Sequence, residues 1–173
     1  EGRLDAAAAV AMSLDANLPP RVEAGGPYTG DEGSPIAIAG TVTDPENDPL
    51  TTTWTITDGA PCSIEDPTEL ETTVTCTDNG DFVVTLTASD GESALPGTDS
   101  ASLSVENLPP EIEQTFTNGP VMQGSPAEVT VVASDPGSSD ELSYEFNCDE
   151  DDSYEIGPQS SNSASCALDP SRV

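Results

Sequence analysis

Residues 81–91 read Asp-Phe-Val-Val-Thr-Leu-Thr-Ala-Ser-Asp-Gly. Phe82, Val84, Leu86 and Ala88 fall at every second position, and polar or β-branched residues fill most of the gaps. A period of two puts successive side chains on opposite faces, so this stretch predicts a long strand with one buried face. Asp78-Asn79-Gly80 is a turn signal immediately before it. Outward from this strand, 71–77 (ETTVTCT) and 62–64 (CSI) read as strands, as does 50–59 (LTTTWTITDG). The last carries Trp54, the single tryptophan and the expected centre of the core. In 35–44 (PIAIAGTVTD), Ile36, Ile38 and Val42 alternate, with Gly40 expected as a bulge. Residues 21–24 form a short strand, Gly25–Tyr28 bends the chain, and Gly30–Gly33 is a turn. Residues 99–105 close the set. The expectation is all-β, about seven strands at intervals of ~8–12 residues, the pattern of an immunoglobulin-like sandwich.

This set has a second copy. Asn17-Leu18-Pro19-Pro20 returns 90 residues later as Asn107-Leu108-Pro109-Pro110. Gly33-Ser34-Pro35 returns as Gly124-Ser125-Pro126, and Asp44-Pro45 as Asp135-Pro136, both 91 residues on. Asp48 corresponds to Asp140, and Trp54 to Phe146. A period of this size suits tandem domains rather than a solenoid. Residues 17–106 are read as a complete module and 107–173 as an incomplete second one. Residues 1–16 are read as the last strand of a preceding module, in a window cut from a longer polypeptide. Alanine propensity in 6–15 (AAAAVAMSLD) favours helix, but Val10, Met12 and Leu14 keep a period of two and the segment precedes the linker, so a strand is expected. In the second module, 111–116, 128–136, 142–152 and 163–169 are the strand regions. The counterpart of 81–90 is missing, and completion is expected from sequence beyond residue 173 or from another copy. The Pro-Pro step of each linker favours a semi-rigid extended spacer.

The chain has 33 Asp and Glu against 3 Arg or Lys and no His, a formal charge of −30. That charge excludes nucleic-acid binding and docking to anionic lipid. Disorder is a possible consequence of such charge, but the strand patterning opposes it. A salt-adapted surface remains a competing account of the acidity. No apolar run approaches the length of a membrane span. Four Cys without His or a CxxC pair point away from zinc and redox chemistry, and toward disulfides in an oxidising, extracellular or cell-surface setting. No Asn-x-Ser/Thr sequon occurs, whereas the abundant Ser and Thr permit O-linked glycans.

The order AGGPYTGDEG (24–33), GTVTDPENDPLTTTW (40–54), DNGDFVVTLTASDG (78–91), a short strand and NLPP (107–110) resembles the PKD (polycystin-type) domain. The resemblance covers nearly all of 17–106 and, more weakly, 107–150. It implies an immunoglobulin-like sandwich, commonly in tandem on microbial surface or secreted proteins, with adhesive, spacing or matrix roles. Several members bind calcium at the module's N-terminal end. Two positions depart from the family: WTITDG (54–59) stands where WDFGDG is usual, and Phe82 where Tyr is usual.

In a seven-strand sandwich the loops after the second and sixth strands return to the end where the first strand begins. Asp15, Asn17, Asp44, Asp48 and Asp90 are therefore expected to converge at the module's entrance, and Glu106, Asn107, Asp135 and Asp140 at the next. These are hard oxygen donors of the kind calcium takes, six to eight at ~2.3–2.6 Å. The competing account is that Asp-Pro and Asp-Gly are simply turn formers. The acidic run 149–152 is read as a solvated loop. Cys62–Cys76 and Cys148–Cys166 would give each module a staple; cross-links between chains are the alternative. With no His, no Lys and no nucleophile beside a base, no enzyme is expected. The function expected is a rigid, calcium-stiffened structural rod or filament, joined to copies of itself or to neighbouring modules. The alternative is an adhesion module for carbohydrate or protein on a larger secreted protein.

Overall fold

The computed structural model describes residues 17–91, 95–122, 124–148 and 153–167. The strand expected over 6–15, Asp15 and the acidic run 149–152 lie outside the described residues. The chain divides into two compact units at the 106/107 boundary.

The first unit contains nine strands: β1 (Arg21–Glu23), β2 (Tyr28–Asp31), β3 (Ile36–Ala39), β4 (Thr41–Thr43), β5 (Thr51–Ile56), β6 (Cys62–Ile64), β7 (Glu71–Cys76), β8 (Gly80–Ser89) and β9 (Gly97–Glu106). One sheet has the order β2-β9-β8-β5; the other is β3-β7-β6, and β1 pairs with β4. Nine segments trace seven strand paths, because two paths are interrupted. The first breaks between β1 and β2 at Gly25 and Gly26, both at positive φ. The second breaks between β3 and β4 at Gly40. The sequence pattern suggested a bulge there; instead the chain leaves its pairing with β7 and takes up pairing with β1. β2 occupies part of what reads as the Gly30–Gly33 turn, pairing in parallel with β9 from Tyr28↔Leu103 to Asp31↔Glu106. The turn itself begins at Glu32.

β8 fills the centre of its sheet, paired to β5 on one side and β9 on the other. Val84, Leu86 and Ala88 are buried on one face, and Val83 is exposed on the other. Thr85 and Ser100 share a hydrogen bond of 2.8 Å on that outer face. Trp54 on β5 faces Leu86 and is 1 % exposed. Its indole Nε1–H donates to the Glu69 carbonyl at 3.1 Å, which satisfies the ring's one polar group. Ile36, Ile38 and Val74 close the core from the second sheet.

The second unit contains β10 (Glu111–Thr117), β11 (Ala127–Ser134), β12 (Tyr144–Phe146), β13 (Ile156–Gln159) and β14 (Ser163–Cys166). Its sheets are β10-β11-β14 and β12-β13. β11 pairs antiparallel with β10 and β14, as β4 pairs with β1 and β3 with β7. The strand expected over 142–152 shrinks to three residues, and β13 was not legible in the sequence. Among the described residues of this unit the buried apolar side chains are Phe146, Ala164 and Cys166.

Two disulfides are present, Cys62–Cys76 and Cys148–Cys166, and no free cysteine remains. Cys62 and Cys76 are direct partners across β6 and β7. Among the described residues no helix is long and apolar enough to cross a membrane.

Candidate functional site

β4 ends at Thr43, and Asp44 turns the chain into the loop leading to β5. The Asp44 side chain organises that loop. Its Oδ1 accepts from the backbone N–H of Glu46 at 2.8 Å and of Asp48 at 3.1 Å. Asn47 sits between them at φ 63°, a left-handed conformation that asparagine tolerates better than most residues. Asp44 Oδ2 is buried and accepts no hydrogen bond. A buried carboxylate oxygen without a donor loses its water without replacement, an unfavourable state that a cation relieves.

The linker runs onto the same end of the unit. Asn17 Nδ2 donates to Asp90 Oδ2 at 2.9 Å, just beyond the end of β8. The Leu18 N–H donates to Glu46 Oε2 at 3.3 Å. Two residues on, Pro20 packs over the start of β9: a Cβ on Gly97 would lie 2.1 Å from the Pro20 carbonyl oxygen. The Ala24 N–H is then taken by Asp99 Oδ2 at 2.8 Å. Four contacts thus set the path of the chain from Asn17 to Ala24.

Of the first set of expected ligands, Asn17 and Asp90 touch, and Asp44 and Asp48 share one loop. No three carboxylates of this unit's described residues bring oxygens within 4.8 Å of one another. Asp15 lies outside the described residues. Glu46, absent from the sequence-based list, is the acid that holds the linker backbone. Its place between Asp44 and Asp48 marks it as a loop acid, but nothing in the spacing shows which carboxylate reaches Leu18.

For the second set, Glu106 ends β9 and is exposed, while Asn107 Nδ2 donates to the neighbouring Leu108 carbonyl at 3.1 Å. Within the second unit, Asp135 Oδ1 accepts from Gly137 N at 2.8 Å, and Asp140 N donates to the Gly137 carbonyl at 3.0 Å. That loop brings one oxygen each of Asp135 and Asp140 within 4.8 Å. In the first unit, Asp31 pairs with Glu106 and Glu32 N donates to the Glu106 carbonyl at 3.0 Å. Sequence reasoning set the Asp31-Glu32 pair aside, because the short parallel pairing of β2 with β9 that carries it to this end has no sequence signal of its own.

The donors at both ends are carboxylate and amide oxygens, and every cysteine is in a disulfide. This chemistry fits a hard cation such as calcium and not zinc. Asp44 Oδ2 supplies an oxygen with no competing hydrogen bond. Asp90 and Asn17 would exchange their mutual bond for the ion, and Asp48 could join from the same loop.

The fold and its loops define an immunoglobulin-like β-sandwich module with acidic loops at its entrance. The family model described as "PKD domain" matches residues 17–105, and the chain belongs to that family. PKD domains are generally non-catalytic structural or adhesion modules. Among solved structures the chain is similar to human protocadherin-24 EC1-2, at 16 % identity and a TM-score of 0.36, with 69 % of this chain and 62 % of that chain covered. The chain thus spans less than two thirds of that structure's length. No curated protein matches.

Proposed function

We propose that this chain is a segment of a non-catalytic extracellular rod or filament, built of tandem PKD modules whose junctions are stiffened by calcium. The fixed path of the linker carries this proposal: Asn17, Leu18 and Pro20 are each held by the module they enter. A spacer that is pinned at its entry and stiffened by Pro19-Pro20 transmits orientation, which a structural rod needs and a loose tether does not. The second unit is proposed as a further copy of the module, supported by the shared pairing of β10, β11 and β14 and by Phe146 in the place of Trp54. Calcium is proposed at Asn17, Asp44, Asp48 and Asp90, with Asp15 preceding them. Asp135, Asp140, Glu106 and Asn107 form the second set. The two disulfides and the family fit an extracellular location.

The rod predicts an ordered linker. Amide 15N relaxation of Asn17 and Leu18 in the whole chain should give order parameters near the rigid-backbone value of ~0.85, rising further with calcium. Values below ~0.6 in the presence of calcium would describe a loose tether and exclude a rod.

A further inference from the structure

The second unit has a cleft where the first has a core. A groove of about 320 Å³ runs between the β10/β11 sheet and the β12–β13 hairpin, lined among others by Ile112, Val131, Ala133, Leu142, Tyr144 and Tyr154. Ile112 is 66 % and Tyr154 64 % exposed. In the first unit the equivalent space is filled by β8 and β9, whose Val84, Leu86, Ala101 and Leu103 are buried there. There, β5 pairs with β8 from Thr51↔Ser89 to Ile56↔Val84. On its other side β5 takes backbone contact from the segment before β7, through Trp54 N and the Pro67 carbonyl at 2.7 Å. β12, the counterpart of β5, has β13 on that second side. Among the described residues, the side that β8 would occupy carries no strand. The groove is therefore the shape of one missing central strand, open along a hydrogen-bonding edge.

One segment of the chain has the pattern of that strand. Leu4, Ala6, Ala8, Val10, Met12 and Leu14 occupy alternate positions, and residues 6–14 carry no charge. The parity of this pattern sets it apart from β9. Counted back from the two Asn-Leu-Pro-Pro copies, Val10, Met12 and Leu14 align with Ser100, Ser102 and Ser104, while Ala101, Leu103 and Val105 are the residues β9 buries. A one-residue offset turns every side chain to the opposite face. A segment placed as β9 is placed would thus show its larger apolar residues to solvent, so this pattern suits a different seat. Its eleven residues, 4–14, match the length of β8, which has ten. An uncharged strand is also the part of a chain of charge −30 that meets least repulsion from another copy.

We infer that residues 4–14 of one copy insert as the missing central strand into the groove of the second unit of another copy, antiparallel to β12. The contact is head-to-tail, so repetition yields an open filament rather than a closed dimer. This deepens the rod and filament proposal by naming how copies join, and rests on it. The calcium-stiffened linker would stand without it, because calcium binding is read separately.

The test uses two variants of the whole chain in about 1 M NaCl, where the Debye length is ~3 Å and charge repulsion is screened. Val10→Asp with Met12→Asp disables the strand; Ile112→Arg, at an exposed position, disables the groove. Circular dichroism and thiol assay confirm that both keep the β fold and the disulfides. Analytical ultracentrifugation should find the unaltered chain in concentration-dependent oligomers and each variant alone as a monomer. An equimolar mixture should give a species of twice the monomer mass and no larger one, since one intact strand meets one intact groove. A monomeric unaltered chain overturns the inference, as does a mixture that stays monomeric, or a variant that assembles like the unaltered chain. Calcium titration of the same variants, which leave Asn17, Asp44, Asp48 and Asp90 in place, shows whether the junction proposal survives that outcome.

Discussion

Gly40 stands where the second strand path changes sheets, and the reason for glycine there is space. A Cβ at this position would lie 2.4 Å from Leu86 Cδ2 and 3.0 Å from both the Glu23 carbonyl and Trp54 Cζ2. Overpacking of this kind typically costs ~1–3 kcal/mol. Gly40→Ala should lower stability by about that amount in urea unfolding followed by Trp54 fluorescence, and an unchanged midpoint would contradict the packing described. Asp66 offers a second check at this scale. Hydrogen bonds from the Thr68 hydroxyl at 2.7 Å and the Thr68 N–H at 3.0 Å favour its charged form. They hold its carboxyl below the ordinary 3.8, the hydroxyl having the larger effect. A depressed carboxyl stabilises the fold above its ordinary pKa and loses that contribution as pH falls through the folded value. An NMR titration should place the Asp66 midpoint below 3.8, and Thr68→Val should raise it. An unmoved midpoint in the variant would remove the Thr68 hydroxyl as the cause.

At the scale of elements, β8 was legible because Val84, Leu86 and Ala88 repeat at the strand period over a length that no helix pattern matches. β5 was legible through Trp54. β2 was not: Tyr-Thr-Gly-Asp is turn-like in composition, and only its parallel seat beside β9 makes it a strand. β13, Ile-Gly-Pro-Gln, was hidden for the same reason. The Asn17–Asp90 contact was foreseeable from topology, whereas the grip of Glu46 on Leu18 depends on a side-chain path that the sequence does not encode locally. The staple between β6 and β7 closes a loop with a sequence separation of 14. A loop of ~15 residues is worth about 3 kcal/mol in the chain-entropy model. Replacing Cys62 and Cys76 together by alanine should lower unfolding free energy by about that amount in chemical denaturation. A loss indistinguishable from zero would show that the hairpin is held by its other contacts alone.

The whole molecule carries a charge of −30 on an all-β frame whose first unit has a full core and whose second leaves a groove. Two accounts of that charge compete. In one, acids are spread for salt tolerance and no position matters more than another. In the other, the acids of the junction loops are ligands, and Asp44 with its buried, unbonded Oδ2 is the most consequential of them. Calorimetric titration of calcium into the whole chain in about 1 M NaCl, with Asp44→Asn and magnesium as controls, separates them. Ligand acids at the junction predict saturable calcium binding that survives the salt and weakens at least about tenfold, ~1.4 kcal/mol, in Asp44→Asn. Calcium heat no different from that of magnesium, and unchanged by the substitution, would contradict a junction site and leave the acidity as general solvation.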